Sequence, residues 1–133
     1  MLVDGAVAGE MRAGLCVFVG VADEDGEEDA RRLAGKVARL RIFENEEGKF
    51  DRSLLDTGGE ALAVSQFTLI ADTAKGNRPS FSHAARPENA EPIYQAFCSA
   101  LEAEGVEVAR GVFGARMQVE LVNDGPVTIV VET

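Results

Sequence analysis

Apolar and polar positions change period several times along this chain. Gly14–Ala22 (GLCVFVGVA) is a continuous apolar run rich in valine, the pattern of a buried strand. Asp23–Gly26 reads as a turn. Asp25 is placed to cap a following helix, with Glu27, Glu28 and Asp29 near its positive end. Over Glu27–Leu40 the residues Ala30, Leu33, Ala34, Val37 and Leu40 recur at helical spacing and give one apolar face. Arg41-Ile42-Phe43 looks extended, and Glu44–Gly48 and Gly58-Gly59 look like turns. Glu60–Ile70 predicts a second strong strand. Its alternation puts Leu62, Val64, Gln66 and Thr68 on one face and Ala63, Ser65, Phe67 and Leu69 on the other. Asp72–Arg86 has no clear period and holds Gly76, Asn77 and Pro79, so it predicts a long loop, a kind of segment that is often functional. Pro92 suits the first turn of a helix whose core face carries Ile93, Phe97, Ala100 and Leu101 and which Gly105 ends. Short strands are predicted over Val106–Ala109 and Met117–Val122. Val127–Glu132 is mostly apolar and closes the chain.

The first residues predict half a hairpin. Asp4-Gly5 supplies the positive φ values of a two-residue turn, with Ala6–Glu10 as its second arm. The first arm, Met1–Val3, is short for a strand, which leaves a sheet edge with little to pair against. The order of elements is strands, helix, strands, helix, strands. That order predicts a single α+β domain over residues 1–133, with a mainly antiparallel sheet or barrel-like core and two helices. A doubly wound parallel sheet fits less well, because two helices supply few crossovers.

Composition adds limits. The 133 residues are 46% hydrophobic and 27% charged, an ordinary globular balance. No apolar run approaches the length of a membrane helix, and the first residues lack the pattern of a secretory signal. A cytoplasmic protein without a membrane partner is expected, with Cys16 and Cys98 as free thiols inside apolar stretches. The net charge of −10 argues against nucleic acid overall. Its distribution softens that argument. Acids gather in Asp23–Asp29, Glu44–Glu47 and Glu102–Glu107, whereas Ala74–Arg86 holds Lys75, Arg78, His83 and Arg86 and no acid. Such a loop can meet a phosphate backbone or stand solvated without a partner.

Most familiar catalytic arrangements are absent from the sequence. The chain has one histidine, His83, in the loop and away from any serine elbow. There is no phosphate-binding glycine loop and no Cys/His spacing suited to a metal, so no cofactor and no metal are expected. Two segments stand apart. Ser65-Gln66-Phe67-Thr68-Leu69 places three polar side chains in a buried-looking strand, where they either cap a strand end or floor a small polar pocket. Asn123-Asp124-Gly125-Pro126-Val127-Thr128 reads as a tight turn in which Pro126 removes a backbone donor where the next strand begins.

Together SQFTL and NDGPVT resemble the paired signatures of the D-aminoacyl-tRNA deacylase family. Arg78–Ala85 (RPSFSHAA), Ala115–Val122 (ARMQVELV) and Leu40–Asn45 (LRIFEN) are also similar, so the resemblance covers essentially the whole chain. It implies an ester hydrolase that removes D-amino acids, and mischarged glycine, from tRNA as chiral proofreading. It implies a homodimer and no DNA partner. Ser65, Gln66, Phe67 and Thr68 would form the catalytic pocket for the aminoacyl group and the terminal adenosine. Gly125-Pro126, joined by a cis bond, would reach into the partner's pocket and leave room only for a D side chain or glycine. Phe113 and Met117 are further substrate-binding candidates, and Lys75, Arg78 and Arg86 are the tRNA-binding candidates. The family's chemistry is thought to lean on a ribose hydroxyl of the RNA. Thr68 is a natural candidate nucleophile, but nothing nearby in sequence could deprotonate it, so a positioning role is expected. The resemblance also implies a longer first strand, carrying a basic residue near the Gly-Pro motif, which here is reduced to Met1–Val3. The rival readings are a non-catalytic dimeric module that binds a small ligand or RNA, and a non-tRNA esterase using Ser65 or Thr68.

Overall fold

The two longest strands lie side by side and run the same way. In the computed structural model, which describes residues 1–133, β1 is Leu2–Val3, β2 Ala6–Val7, β3 Gly14–Val19, β4 Phe43–Glu44, β5 Phe50–Arg52, β6 Glu60–Ser65, β7 Glu107–Arg110 and β8 Met117–Gln118. The helices are α1 (Glu27–Arg39), a one-turn α2 (Leu54–Thr57) and α3 (Pro87–Ala103), with a 3-10 turn at Phe67–Leu69. The sheet order β3-β6-β7 is parallel throughout, from Gly14↔Glu60 to Val19↔Ser65 and from Glu60↔Glu107 to Ala63↔Arg110. The antiparallel pairs are the short ones, β2-β1-β8 and β4-β5.

The α+β class holds, but the central sheet corrects the expectation of a mainly antiparallel core. Parallel neighbours need crossovers of a dozen residues or more, and two helices supply the two crossovers that three strands require. α1 lies in the first crossover and α3 in the second, packed against each other. The core follows from that layering. Val19, Ala61 and Ala63 from the sheet meet Ala30, Ala34, Val37 and Ala38 of α1 and Tyr94, Phe97, Cys98 and Leu101 of α3. Alanines on α1 let the two helices approach the sheet closely. The opposite face of β6 carries Leu62 and Val64, covered by Met1, Met11, Cys16 and Met117.

Gly14 shows how tightly β3 and β6 approach. A Cβ there would stand 1.8 Å from the carbonyl oxygen of Glu60, and φ is +152°. The Asp4-Gly5 hairpin forms as expected, with φ of 50° and 80°. Its second arm, β2, is an edge of the three-stranded sheet, as expected, while the short first arm, β1, pairs with β2 on one side and β8 on the other.

Three local expectations are corrected. α1 starts on Gly26, whose amide donates to Asp29 Oδ2 at 2.9 Å. Asp25 instead accepts from the Ala22 amide at 2.8 Å and ties the turn. α3 begins at Pro87, so Pro92 lies inside the helix rather than in its first turn. The closing strands shorten. Pairing after Arg110 is limited to Met117 and Gln118, and Val127–Glu132 forms no ladder, since a strand needs a neighbour to accept its hydrogen bonds. Ala115–Glu120 nevertheless alternates half-buried and exposed, as a strand would.

Candidate functional site

Parallel β-strands expose the ends of their hydrogen-bonding ladder at their C-terminal edge, and ligands favour that edge in sheets of this kind. Here the edge is formed by Val19-Gly20-Val21 after β3 and by Ser65-Gln66 at the end of β6. Alternation stops at Ser65. The Gln66 amide still donates to the Val19 carbonyl at 2.8 Å, and the chain then folds into the 3-10 turn, closed by the Leu69 amide on Gln66 O (3.2 Å) and the Ile70 amide on Phe67 O (3.0 Å). The expected single strand to Ile70 is therefore corrected. Two polar positions and a phenylalanine are thrown out of the sheet at its end.

The turn can form because residue 20 is glycine. A Cβ at Gly20 would meet Leu69 Cβ at 3.0 Å and the Gln66 carbonyl at 3.3 Å. Within the turn, the Gln66 side-chain amide donates to Thr68 Oγ1 at 2.5 Å. The Thr68 hydroxyl thus accepts from Gln66 and keeps its own proton for a ligand. The backbone amides of Phe67 and Thr68, at the start of the turn, donate to nothing within the chain. Ser65 and Gln66 are half-buried, while Phe67 and Thr68 face solvent. The Phe67 ring meets Phe81 edge to face, with centroids 5.1 Å apart. Phe81 begins the return from the long loop.

That loop is pinched at its base. Asp72 and Ser80 exchange two backbone hydrogen bonds of 2.8 Å, so residues 73–79 form an exposed tip that carries Lys75 and Arg78. Its far end is tied to β3's exit by the Ala85 amide on Val21 O and the Asp23 amide on His83 O, both at 2.9 Å. Arg86 is exposed at the N-cap of α3. None of Lys75, Arg78 and Arg86 enters an ion pair. Three cations are therefore free on one stretch of chain that joins the polar turn.

The remaining candidates are placed as follows. Phe113 is half-buried and packs on the helix side, beside Val21, Ala85 and Ala90. Met117 packs on the opposite face of β6 against Leu62 and Val64. Gly125-Pro126 is cis and exposed. The Asn123 side chain braces its loop, accepting from the Val127 amide at 3.1 Å and donating to Thr128 Oγ1 at 2.9 Å. Ser65–Thr68 thus forms one cluster, whereas Phe113, Met117 and Gly125-Pro126 lie on separate parts of the chain. A hollow of about 470 Å³ lies elsewhere, lined by Gly35, Lys36, Arg39, Leu40 and Arg41. Arg39 pairs with Glu104 just beyond α3, which places that hollow at the Glu60 end of the sheet, away from Ser65.

Reading the sequence missed Gly20, the Phe67–Phe81 contact and Tyr94. Tyr94 is the sole tyrosine of the chain, and its hydroxyl donates to Ala63 O at 2.7 Å. The signal was present: a phenol on an apolar helix face needs a polar partner.

Comparison with known proteins gives a consistent result. Residues 1–132 match the family model described as D-Tyr-tRNA(Tyr) deacylase. The D-aminoacyl-tRNA deacylase of Chloroflexus aurantiacus is 58% identical over 131 residues, 98% of this chain and 82% of that protein. That of Thermus aquaticus is 54% identical over 98% of this chain and 86% of its own length. Among solved structures, one named c-Myc DNA Unwinding Element Binding Protein superposes with a TM-score of 0.92 at 39% identity, covering 99% of this chain and 90% of that one.

Proposed function

The chain belongs to the D-Tyr-tRNA(Tyr) deacylase family, and we infer that the reaction it catalyses is hydrolysis of the ester between a D-amino acid and tRNA. Water adds to the ester carbonyl, the ribose oxygen leaves with a proton, and free amino acid and tRNA are the products. The observation that carries this reading is the family match over nearly the whole chain.

The residue roles are our proposal. Ser65, Gln66, Phe67 and Thr68 form the catalytic pocket. The amides of Phe67 and Thr68, which donate to nothing within the chain, are available to the oxyanion that develops on the carbonyl oxygen. The Thr68 hydroxyl, oriented by Gln66, donates to substrate rather than attacking it. An aminoacyl ester is already activated, so positioning and charge stabilisation supply much of the acceleration. Phe67 with Phe81 offers an apolar surface to the terminal base. Lys75, Arg78 and Arg86 hold tRNA phosphates.

The same proposal makes the protein a homodimer, with Gly125-Pro126 of each copy entering the other's pocket. Leu121, Val122, Ile129 and Val130 support it, with 51 to 91% of their surfaces exposed in the isolated chain. Contiguous exposed apolar residues mark an interaction surface. Phe113, on the helix side, and Met117, on the opposite face of β6, are the remaining substrate-binding candidates. Glycine esterified to tRNA is accepted as well, because it presents no side chain to exclude, and the cellular role is chiral proofreading.

The test is deacylation of D-tyrosyl-tRNA against L-tyrosyl-tRNA. D-specific cleavage that survives measurably in Thr68→Ala fits this reading. Equal rates on both enantiomers sink exclusion by chirality, and an acyl group trapped on Thr68 or Ser65 sinks the positioning role. Binding of RNA or DNA with no turnover would make the protein a binding module.

A further inference from the structure

The end of β6 is gripped from the helix layer by one side chain. Tyr94 is fully buried on α3, and its hydroxyl donates to the carbonyl of Ala63, two residues before Ser65. Ala63 is also where β6 loses its neighbour β7. The last paired residues are Ala63 and Arg110, and the Gly111 amide makes a final bond of 2.9 Å to the same Ala63 oxygen. Beyond that point β6 is held on one side only, by β3 at Val64 and Ser65. The Tyr94 ring also meets Phe113, with centroids 6.1 Å apart. One rigid side chain therefore touches both the strand that delivers Ser65–Thr68 and the half-buried aromatic on the chain's return from β7. Burial holds the phenol in its protonated, donating form well above the ordinary range for tyrosine.

We propose that Tyr94 is a positioning residue for deacylation, fixing the Ser65–Thr68 turn through the Ala63 carbonyl and Phe113 through its ring. This rests on the assignment of the Ser65–Thr68 cluster as the reacting site. A site that works by positioning is sensitive to small displacements of its supports. Tyr94→Phe keeps the ring and removes only the hydroxyl, so β6 loses a tether near its free end while Phe113 keeps its neighbour.

The experiment is steady-state deacylation of D-tyrosyl-tRNA by the full chain, comparing the parent, Tyr94→Phe and Gln66→Ala, with rates referred to folded protein. Tyr94→Phe is expected to lower kcat about tenfold with KM within about twofold, because the turn is displaced while the tRNA-binding surface is untouched. If Gln66→Ala is impaired and Tyr94→Phe turns over like the parent, Tyr94 is a core residue only and the inference is overturned. If Gln66→Ala is also unimpaired, the site assignment itself has failed. Should Tyr94→Phe not fold, the parent labelled with 3-fluorotyrosine decides. Tyr94 is the only tyrosine, so the label reports on one position. Saturation with the 3′-amide analogue of D-alanyl-adenosine should shift its fluorine resonance. An unmoved resonance at saturation overturns the inference.

Discussion

The chain divides at Arg110 into two regions that treat apolar residues in opposite ways. Every buried residue lies at or before Val106. Up to Arg110, β3, β6 and β7 put one face against α1 and α3, and the helices cover it with Ala34, Tyr94, Phe97 and Leu101. From Gly111 onward the composition is just as apolar, with Val119, Leu121, Val122, Ile129 and Val130, yet the only ladder is Met117-Gln118 and Val122 and Val130 stand 91% and 82% exposed. The first region buries its helix-side face largely within itself, and Met117 and Val119 of the second help to cover the other face of β6. Past Gln118 the second has the residues of a strand layer but no ladder neighbour in its own chain.

The contrast predicts different failures. Gly14→Ala and Gly114→Ala change the same residue type at positive φ, but the first inserts a methyl 1.8 Å from the Glu60 oxygen and the second meets nothing within 4 Å. Gly14→Ala should abolish soluble, cooperatively melting protein. Gly114→Ala should cost about 1 to 3 kcal/mol from backbone strain alone. Similar melting temperatures for the two would break the comparison.

Next in size is Leu101→Ala, which empties a fully buried site between helix and sheet. It should lower unfolding free energy by about 2 to 5 kcal/mol in urea titrations. Val122→Lys combined with Val130→Lys should leave the stability of the single subunit within about 0.5 kcal/mol. Sedimentation should nevertheless show that pair of changes converting dimer to monomer with loss of deacylase activity. If the double variant sediments like the parent, the exposed arm is not an interface.

A smaller effect separates the loop tip from both regions. Replacing Lys75 and Arg78 by alanine should weaken tRNA binding and reduce the slope of log affinity against log salt by about one for each phosphate no longer neutralised. An unchanged slope would move the tRNA surface elsewhere.

The smallest effect is acid sensitivity. Hydrogen bonds from Arg41, then Asn45, hold the Asp51 carboxyl below its ordinary range, and bonds from the Ser53 backbone and side chain do the same for Asp56. Depressed carboxyls favour the folded state above the unfolded value, near pH 4, and that contribution fades as pH falls through the folded value. Asp51→Asn should therefore flatten the acid limb of the stability profile and leave the profile above about pH 5 parallel to the parent's. A steeper acid limb would refute the assignment.

These two regions were not equally legible in the sequence. Strong periodicity made α1 and the interiors of β3 and β6 readable, because their faces are defined by packing within the chain. The direction of β3 against β6 was misjudged, although the unbroken valine-rich run of β3 is the pattern of parallel strands covered on both faces. α2 went unread despite Ser53-Leu54-Leu55-Asp56, whose ends cap each other through bonds of 2.9 and 3.1 Å. At the site, the Ser65–Thr68 cluster was visible as polar residues in an apolar context. Its geometry was not, because the bend depends on Gly20, 45 positions upstream of Ser65. The closing arm differs in another way: its alternation predicts strands, and past Gln118 no strand of the chain lies beside it to complete a ladder.

The central place of β6 also orders events during synthesis. β6 has neighbours on both sides only after β7, its last neighbour, has left the ribosome, so the parallel core cannot close before Arg110 has emerged. Contacts of such wide sequence separation form late and slowly. When they do form, the remaining stretch from Gly111 to Thr133 is the newest chain and the least engaged with it. Closure of the core therefore waits on β7, the last of its strands to be made.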